Sequence, residues 1–428
     1  MSDDTRPARF RWLPPVLRPP VPMEWRAERV ILLVGAAAFF AGYDQNVFGL
    51  AIPQIQATFH IPDNQVGPTV AYFRMATAVA LLIAASADLV GRRRLLLVTL
   101  FGQGFFTLIT AFTQNYEQFV AAQFLTRVFG YAEEMLCFVV VAEEMAAGAR
   151  GWANGTLSAL YYLGAGIASI VFAAVTLLPY GWRSIYVIGA LPIFLVGWLR
   201  RRLPETKRFA QREEIQKVGS KAAATWALLK DMTRQYPGRV FTIIVAASAF
   251  GFAISPATVL GATYLQTVYH YAPWQTTVLM VSCGLVSLAL AIATGRLSDR
   301  LGRKPTAFAI VTLAGVCFYF FYNGAPGWAL PLLWLLAFFG FFSGDALVAG
   351  FALEIVPTHY RSTVSGLRYV FEIGFGALAL GLEGRLYDKF HAHGPAIQWL
   401  LASIPITMMA VLFLPEPAGK SLEEMSGA

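Results

Sequence analysis

Asp44, Arg74, Arg127, Glu133, Glu134, Asp345, Arg368 and Glu372 each interrupt a stretch of chain that is otherwise apolar over about 20 residues, the length that crosses a bilayer as a helix. Ionisable side chains in such stretches are costly and ask for a partner or a task. Two kinds of chemistry suit these types. A carboxylate in apolar surroundings can take up and release a proton near neutral pH, because burial favours its neutral form. A guanidinium can hold a carboxylate through two parallel hydrogen bonds. Asp44, Glu133, Glu134 and Asp345 are therefore candidate proton carriers. Arg74, Arg127 and Arg368 are candidate contacts for an anionic ligand or members of a charge relay.

Spacing refines this. Asp44 lies nine residues before Pro53 at the far end of the first apolar run, and Arg74 lies in the second. Consecutive runs form a hairpin, so Asp44 and Arg74 are expected to reach similar depth and face each other, as an ion pair or as working groups. Arg127 and Glu134, seven residues apart, share one helix face about 10 Å apart. Glu133 and Glu134 differ by about 100° and cannot point the same way. Either acid can couple protons or pair with Arg127. Arg368 and Glu372 stand one turn apart, which suits an intrahelical pair, and Arg368 can instead reach a ligand carboxylate. Tyr161 and Tyr369, with Tyr162, Tyr264 and Phe371, offer faces for an organic ligand, although most aromatics in such runs pack or sit at interfaces.

Motifs recur at an offset of 211 residues. Asp88, Gly91, Arg92 and Arg93 return as Asp299, Gly302, Arg303 and Lys304; Glu143 and Arg150 return as Glu354 and Arg361. Glu134 returns as Asp345, and Leu203-Pro204-Glu205 as Leu414-Pro415-Glu416. Two copies of one architecture follow. An acid at a helix end, a glycine turn and basic residues make a charged latch, whose natural partners are Glu143 and Glu354. Setting topology is the plainer role for the same charges.

The chain has 428 residues, 57% of them hydrophobic and 14% charged, with mean hydropathy +0.56. No soluble domain needs so much apolar sequence. Twelve apolar runs, from 30–52 to 396–415, read as spanning helices. The organisation expected is a tail at 1–29, a six-helix bundle at 30–203, a polar connector at 204–238, a second bundle at 239–415 and a tail at 416–428. With both termini cytoplasmic, 27 of the 33 Lys and Arg fall on the cytoplasmic side. The net charge of +8 therefore faces lipid headgroups, and no nucleic-acid partner is expected. No cleavable signal peptide is read in the Arg- and Pro-rich start. Gly419-Lys420-Ser421 lacks the earlier glycine of a nucleotide-binding loop. His391 and His393, placed in an outer loop, make a poor metal site, so neither metal nor cofactor is expected.

The loops Asp88–Arg94 and Gly295–Lys304 resemble the signature loops of the major facilitator superfamily, the second more closely than the first, where Ala84 and Leu89 depart from the pattern. Gly42-Tyr43-Asp44, Gly181-Trp182-Arg183, Pro204–Phe209, Glu354–Thr358 and Leu414–Glu424 are similar to the branch that joins sugar porters, organic-ion transporters and metabolite:proton symporters. The resemblance implies an all-α membrane protein of twelve transmembrane helices in two pseudo-symmetric six-helix bundles. It implies a cavity lined by spans 1, 4, 7 and 10, a cytoplasmic gate of Asp88, Arg92, Glu143, Arg150, Asp299, Arg303, Glu354 and Arg361, and usually a monomer. The glutamine-rich pattern of hexose porters is missing from span 7, which reads Ala253–Thr258. The expected activity is proton-driven uptake of a small, anionic organic metabolite across a bacterial-type cytoplasmic membrane, with small-molecule substrate and protons as partners and no enzymatic step. Proton-coupled efflux of xenobiotics is the alternative, and a non-transporting membrane sensor is a further one.

Overall fold

The computed structural model describes Phe10 and residues 18–146, 149–201, 229–357 and 360–416, apart from the side chains of Asp88, Leu89, Ala142, Ile292 and Ser362. Most of the expected connector, the C-terminal tail and the Pro204–Phe209 motif therefore lie outside the described residues, as does the Asp88 side chain.

Every regular element among the described residues is helical. The physical reason is that lipid offers a backbone no hydrogen-bond partners, and a helix satisfies its own. In chain order the helices are α1 (Trp25–Phe59), α2 (Val66–Ala85), the short α3 (Ala87–Val90), α4 (Arg92–Phe112), α5 (Tyr116–Glu144), α6 (Arg150–Ala173) and α7 (Trp182–Arg200). Then follow α8 (Pro237–Val259), the short α9 (Gly261–Thr267), α10 (Pro273–Leu301), α11 (Arg303–Tyr322), α12 (Leu330–Glu354), α13 (Arg361–Phe390), α14 (His393–Leu401) and α15 (Ile404–Phe413).

Among the described residues, eleven helical stretches are long and apolar enough to cross a membrane. The chain is a multi-pass membrane protein. Helix α5, expected as a further span, has the length but not the composition: Arg127, Glu133 and Glu134 fall within one 18-residue window.

The chain forms two compact units, Met1–His60 with Met75–Lys217, and Ile61–Arg74 with Val218–Ala428. The start of α2 thus packs with the second unit, a division no apolar-run analysis reveals. In the first unit α1 packs closely along α6, where Gly42 and Gly164 leave no room for a Cβ against the backbone carbonyls of Tyr161 and Phe39. In the second unit α8 packs along α13.

The sequence repeat is visible in the backbone. Gly91 and Gly302, which separate α3 from α4 and α10 from α11, have φ 98° and 100° with ψ 141° and 151°. L residues rarely adopt that conformation, so the glycines of the two latch loops are required by the turn. His60, His270 and His391 share φ 54° without following the repeat offset.

Candidate functional site

In the first unit the buried charges gather on α1, α4, α5 and α7. Asp44 is 3% exposed and accepts a 2.9 Å hydrogen bond from Thr107 Oγ1. The Arg127 guanidinium, also buried, lies within electrostatic range, and Gln103 stands beside the pair. Tyr43 donates to the carbonyl of Ile185 at 3.0 Å, which fixes the turn of α1 that carries Asp44. Tyr186, buried near both Asp44 and Arg127, has a hydroxyl without a hydrogen-bond partner among the described residues.

One turn further along α5 the environment changes. Glu133, fully buried, pairs with Arg200 at the end of α7 and accepts a 2.5 Å hydrogen bond from Thr99. Arg200 also donates to the Leu33 carbonyl at 3.1 Å. This acid is held by a buried cation and a hydroxyl, an arrangement suited to tying three helices together. Glu134 turns away, as the helical angle requires, and is half-buried beside Gln45. Gln45 in turn accepts from Tyr161 at 3.1 Å.

The second unit uses other positions. Arg368 of α13 donates to Asp345 of α12 at 2.7 Å and to Glu372, one turn on, at 2.6 Å. Arg74 comes to the same group: it is within electrostatic range of Glu372, and its Nη1 lies 2.5 Å from where a Cβ on Gly376 would stand. Two arginines thus serve two acids, with Tyr369 close to Arg368 and 46% exposed. The intrahelical Arg368–Glu372 pair is present. Asp44 and Arg74, expected to face each other, belong to different units: Asp44 accepts from Thr107 with Arg127 in electrostatic range, and Arg74 stands in electrostatic range of Glu372. A hairpin fixes relative depth but not azimuth, and α2 turns this arginine toward α13.

Where α3 meets α4 and α10 meets α11, each unit has a two-bond latch among the described residues. Arg92 donates to Glu143 at 3.0 and 3.2 Å, and Arg303 to Glu354 at 2.9 and 3.1 Å. Asp299 adds a 2.8 Å contact to Arg303. Glu416 accepts from the backbone N–H of Arg303 and Lys304 at 2.7 and 2.9 Å, capping α11 where the helix dipole favours a carboxylate. Arg150 and Arg361 are not in these pairs. Arg150 turns to the Met145 carbonyl at 3.4 Å, and Nε and Nη2 of Arg361 are buried without a hydrogen-bond partner among the described residues.

Thr99, Gln103 and Thr107 were not singled out from sequence, yet they line one face of α4 at four-residue spacing, all essentially buried. A polar stripe at helical period in an apolar run is the signal that would have found them. Arg200 reads as a membrane-edge charge because it ends its run, and only the fold turns it inward. No group of three or more His, Cys, Asp or Glu suited to a metal occurs among the described residues.

Residues 34–380 match the model of the Major Facilitator Superfamily. The chain is 26% identical over 416 residues to the citrate-proton symporter of Salmonella typhi, covering 90% of this chain and 93% of that protein. It is 25% identical over 400 residues to the gallate transporter of Pseudomonas putida, covering 86% of each. The crystal structure of a D-xylose-proton symporter superposes with a TM-score of 0.72 at 16% identity, covering 92% of this chain and 99% of that one. Two duplicated helical units, paired latches and a family match over most of the length agree: the chain belongs to the Major Facilitator Superfamily.

Proposed function

We propose that this protein is a proton-coupled symporter of a small organic carboxylate, working by alternating access with both termini on the cytoplasmic side of a bacterial-type inner membrane. The observation that carries the reading is Asp44, a buried carboxylate set beside the Thr107 hydroxyl, the Gln103 amide and the cation Arg127. Neutralising Asp44 would remove its attraction for Arg127 and ionising it would restore it, so one proton can change the interaction between α1 and α5. Citrate and gallate, named for two relatives, are both carboxylates. They fit the chemistry of Arg368 and Arg74, which would trade one of their own acids for the substrate's. Glu134, Gln45 and Tyr161 supply hydrogen-bonding groups on the less buried side of the first unit. Arg92–Glu143 and Arg303–Glu354 serve as the cytoplasmic gate contacts, with Asp299 as an auxiliary. The organisation into bundles at 30–203 and 239–415 joined through 204–238, and action as a monomer, complete the proposal.

The test is proton movement into proteoliposomes loaded with a pH-sensitive dye. External citrate, gallate, other aromatic acids, sugars and cationic drugs are added in turn. Internal acidification on adding a carboxylate, lost in Asp44→Asn, is the expected result. Acidification that persists undiminished in Asp44→Asn removes Asp44 as the coupling group. Export of cationic drugs against a proton influx favours the efflux alternative.

A further inference from the structure

At the opposite end of the second unit from the Arg303 latch, α13 and α14 bury a second ionisable pair. Glu383 is fully buried, His393 is nine-tenths buried, and His393 Nδ1 lies 2.7 Å from Glu383 Oε1. The remaining polar atoms, Glu383 Oε2 and His393 Nε2, are buried with no hydrogen-bond partner among the described residues. The start of α2 lies over them. A Cβ on Gly67 would stand 2.6 Å from Glu383 Oε2 and closer still to the Leu380 carbonyl, so only glycine allows this approach. The same segment is fastened at its edge by Asn64 donating to Asp388 and Tyr387 donating to Asp63, both at 2.7 Å.

The duplicate shows that the fold does not need this pair. At the 211-residue offset Glu383 and His393 correspond to Phe172 and Trp182, which are 1% and 3% exposed. Apolar side chains of similar volume usually serve stability as well as a buried ion pair, or better. With Nδ1–H donating to the carboxylate, the pair carries one net negative charge and two free acceptors. One added proton, on His393 Nε2 or Glu383 Oε2, makes it neutral. That gain exists only while Gly67 keeps water away; once water solvates the carboxylate, the proton is held less tightly.

We propose that Glu383 and His393 form a proton-binding site of the second unit, separate from Asp44, whose hold on its proton depends on the covering Ile61–Arg74 segment. The titratable groups that face it are Tyr387 on α13, Tyr322 on α11 and, through Tyr387, Asp63. The exposed Arg385, Asp388 and Lys389 are the remaining charges on this end of α13. Because proton affinity and cover are linked, the site couples protonation to the parting of α2 from α13. A second proton per cycle is the functional consequence.

The test reads protons directly and needs no substrate. Full-length protein in liposomes is titrated while the infrared bands of buried carboxyl, carboxylate and histidine-ring groups are recorded. Glu383→Gln is expected to lose one titrating band that Asp44→Asn keeps, so failure here and failure of the Asp44 reading are distinguishable. A Glu383→Gln spectrum identical to wild type at every pH overturns the proposal. Should Glu383→Gln not fold, His393→Gln replaces it. Removing the imidazole is expected to move the band's midpoint, and an unmoved midpoint overturns the proposal equally.

Discussion

Arg92 grips Glu143 and Arg303 grips Glu354 with nearly the same two bonds, 211 residues apart and in separate units. Away from the latches the correspondence fails. Asp44, Thr99, Gln103, Thr107, Arg127, Glu133 and Arg200 of the first unit become Ser255, Ile310, Ala314, Phe318, Phe338, Gly344 and Val411 of the second. A buried polar network has been exchanged for an apolar interior. The reverse holds on the paired helices α6 and α13, where Leu157 and Tyr161 answer to Arg368 and Glu372. Away from the latches and tails, Glu134 and Asp345 keep an acid at one place in both copies. Duplication has preserved the parts that both halves need alike and has let each centre take its own charges. Such an arrangement fits two units with different tasks, one handling a proton through Asp44 and the other a carboxylate through Arg368.

The comparison can be broken most severely at Arg200. Arg200→Ala leaves Glu133 as an unpaired buried charge and is expected to cost about 3–5 kcal/mol, read as loss of monodisperse protein on size exclusion. Restoring the second unit's solution with Glu133→Gly and Arg200→Val together should recover part of that loss. If the double variant is as damaged as the single one, the network is not the reason for the cost.

The functional division comes next. Arg368→Gln is expected to raise the substrate KM by about 10- to 100-fold, the loss of one charge-assisted contact of about 1.5–3 kcal/mol, while proton-independent exchange survives. Asp44→Asn should do the opposite, removing proton-driven accumulation but sparing exchange. Matching phenotypes for the two variants would erase the proposed difference between the units.

The latches should differ in degree. Arg92 and Glu143 are 3% and 10% exposed against 22% and 28% for Arg303 and Glu354. Arg92→Ala should therefore cost about 3 kcal/mol and Arg303→Ala about 1 kcal/mol. Thermal unfolding of the two variants gives the order directly. The smallest effect expected is that of Glu416→Gln, which weakens the cap on α11 by about 0.5–1 kcal/mol and is best resolved by hydrogen exchange at Arg303 and Lys304.

Some of this was legible in the residues. The latch partners followed from two matched motifs, and the divergence of Glu133 and Glu134 followed from helical angle alone. Arg368 and Glu372 met because they are one turn apart on one helix. Pairs between helices were another matter. Asp44 was matched with Arg74 on depth, but its neighbours come from α4 and α5, and Arg74 lies against α13. Spacing along a chain does not carry the rotation of one helix against the next. His393 looked like a loop histidine until the turn before α14 brought it onto Glu383.

By itself, then, the sequence determined that the chain is a duplicated set of membrane helices with a charged latch in each copy, because span length, helical period and repeat offset are properties of the chain alone. Which buried charge meets which was decided by the tertiary structure. The partner of a buried ion is set by how helices rotate and cross to remove unsatisfied charge from the apolar phase. That choice belongs to the packed ensemble of helices rather than to any one of them.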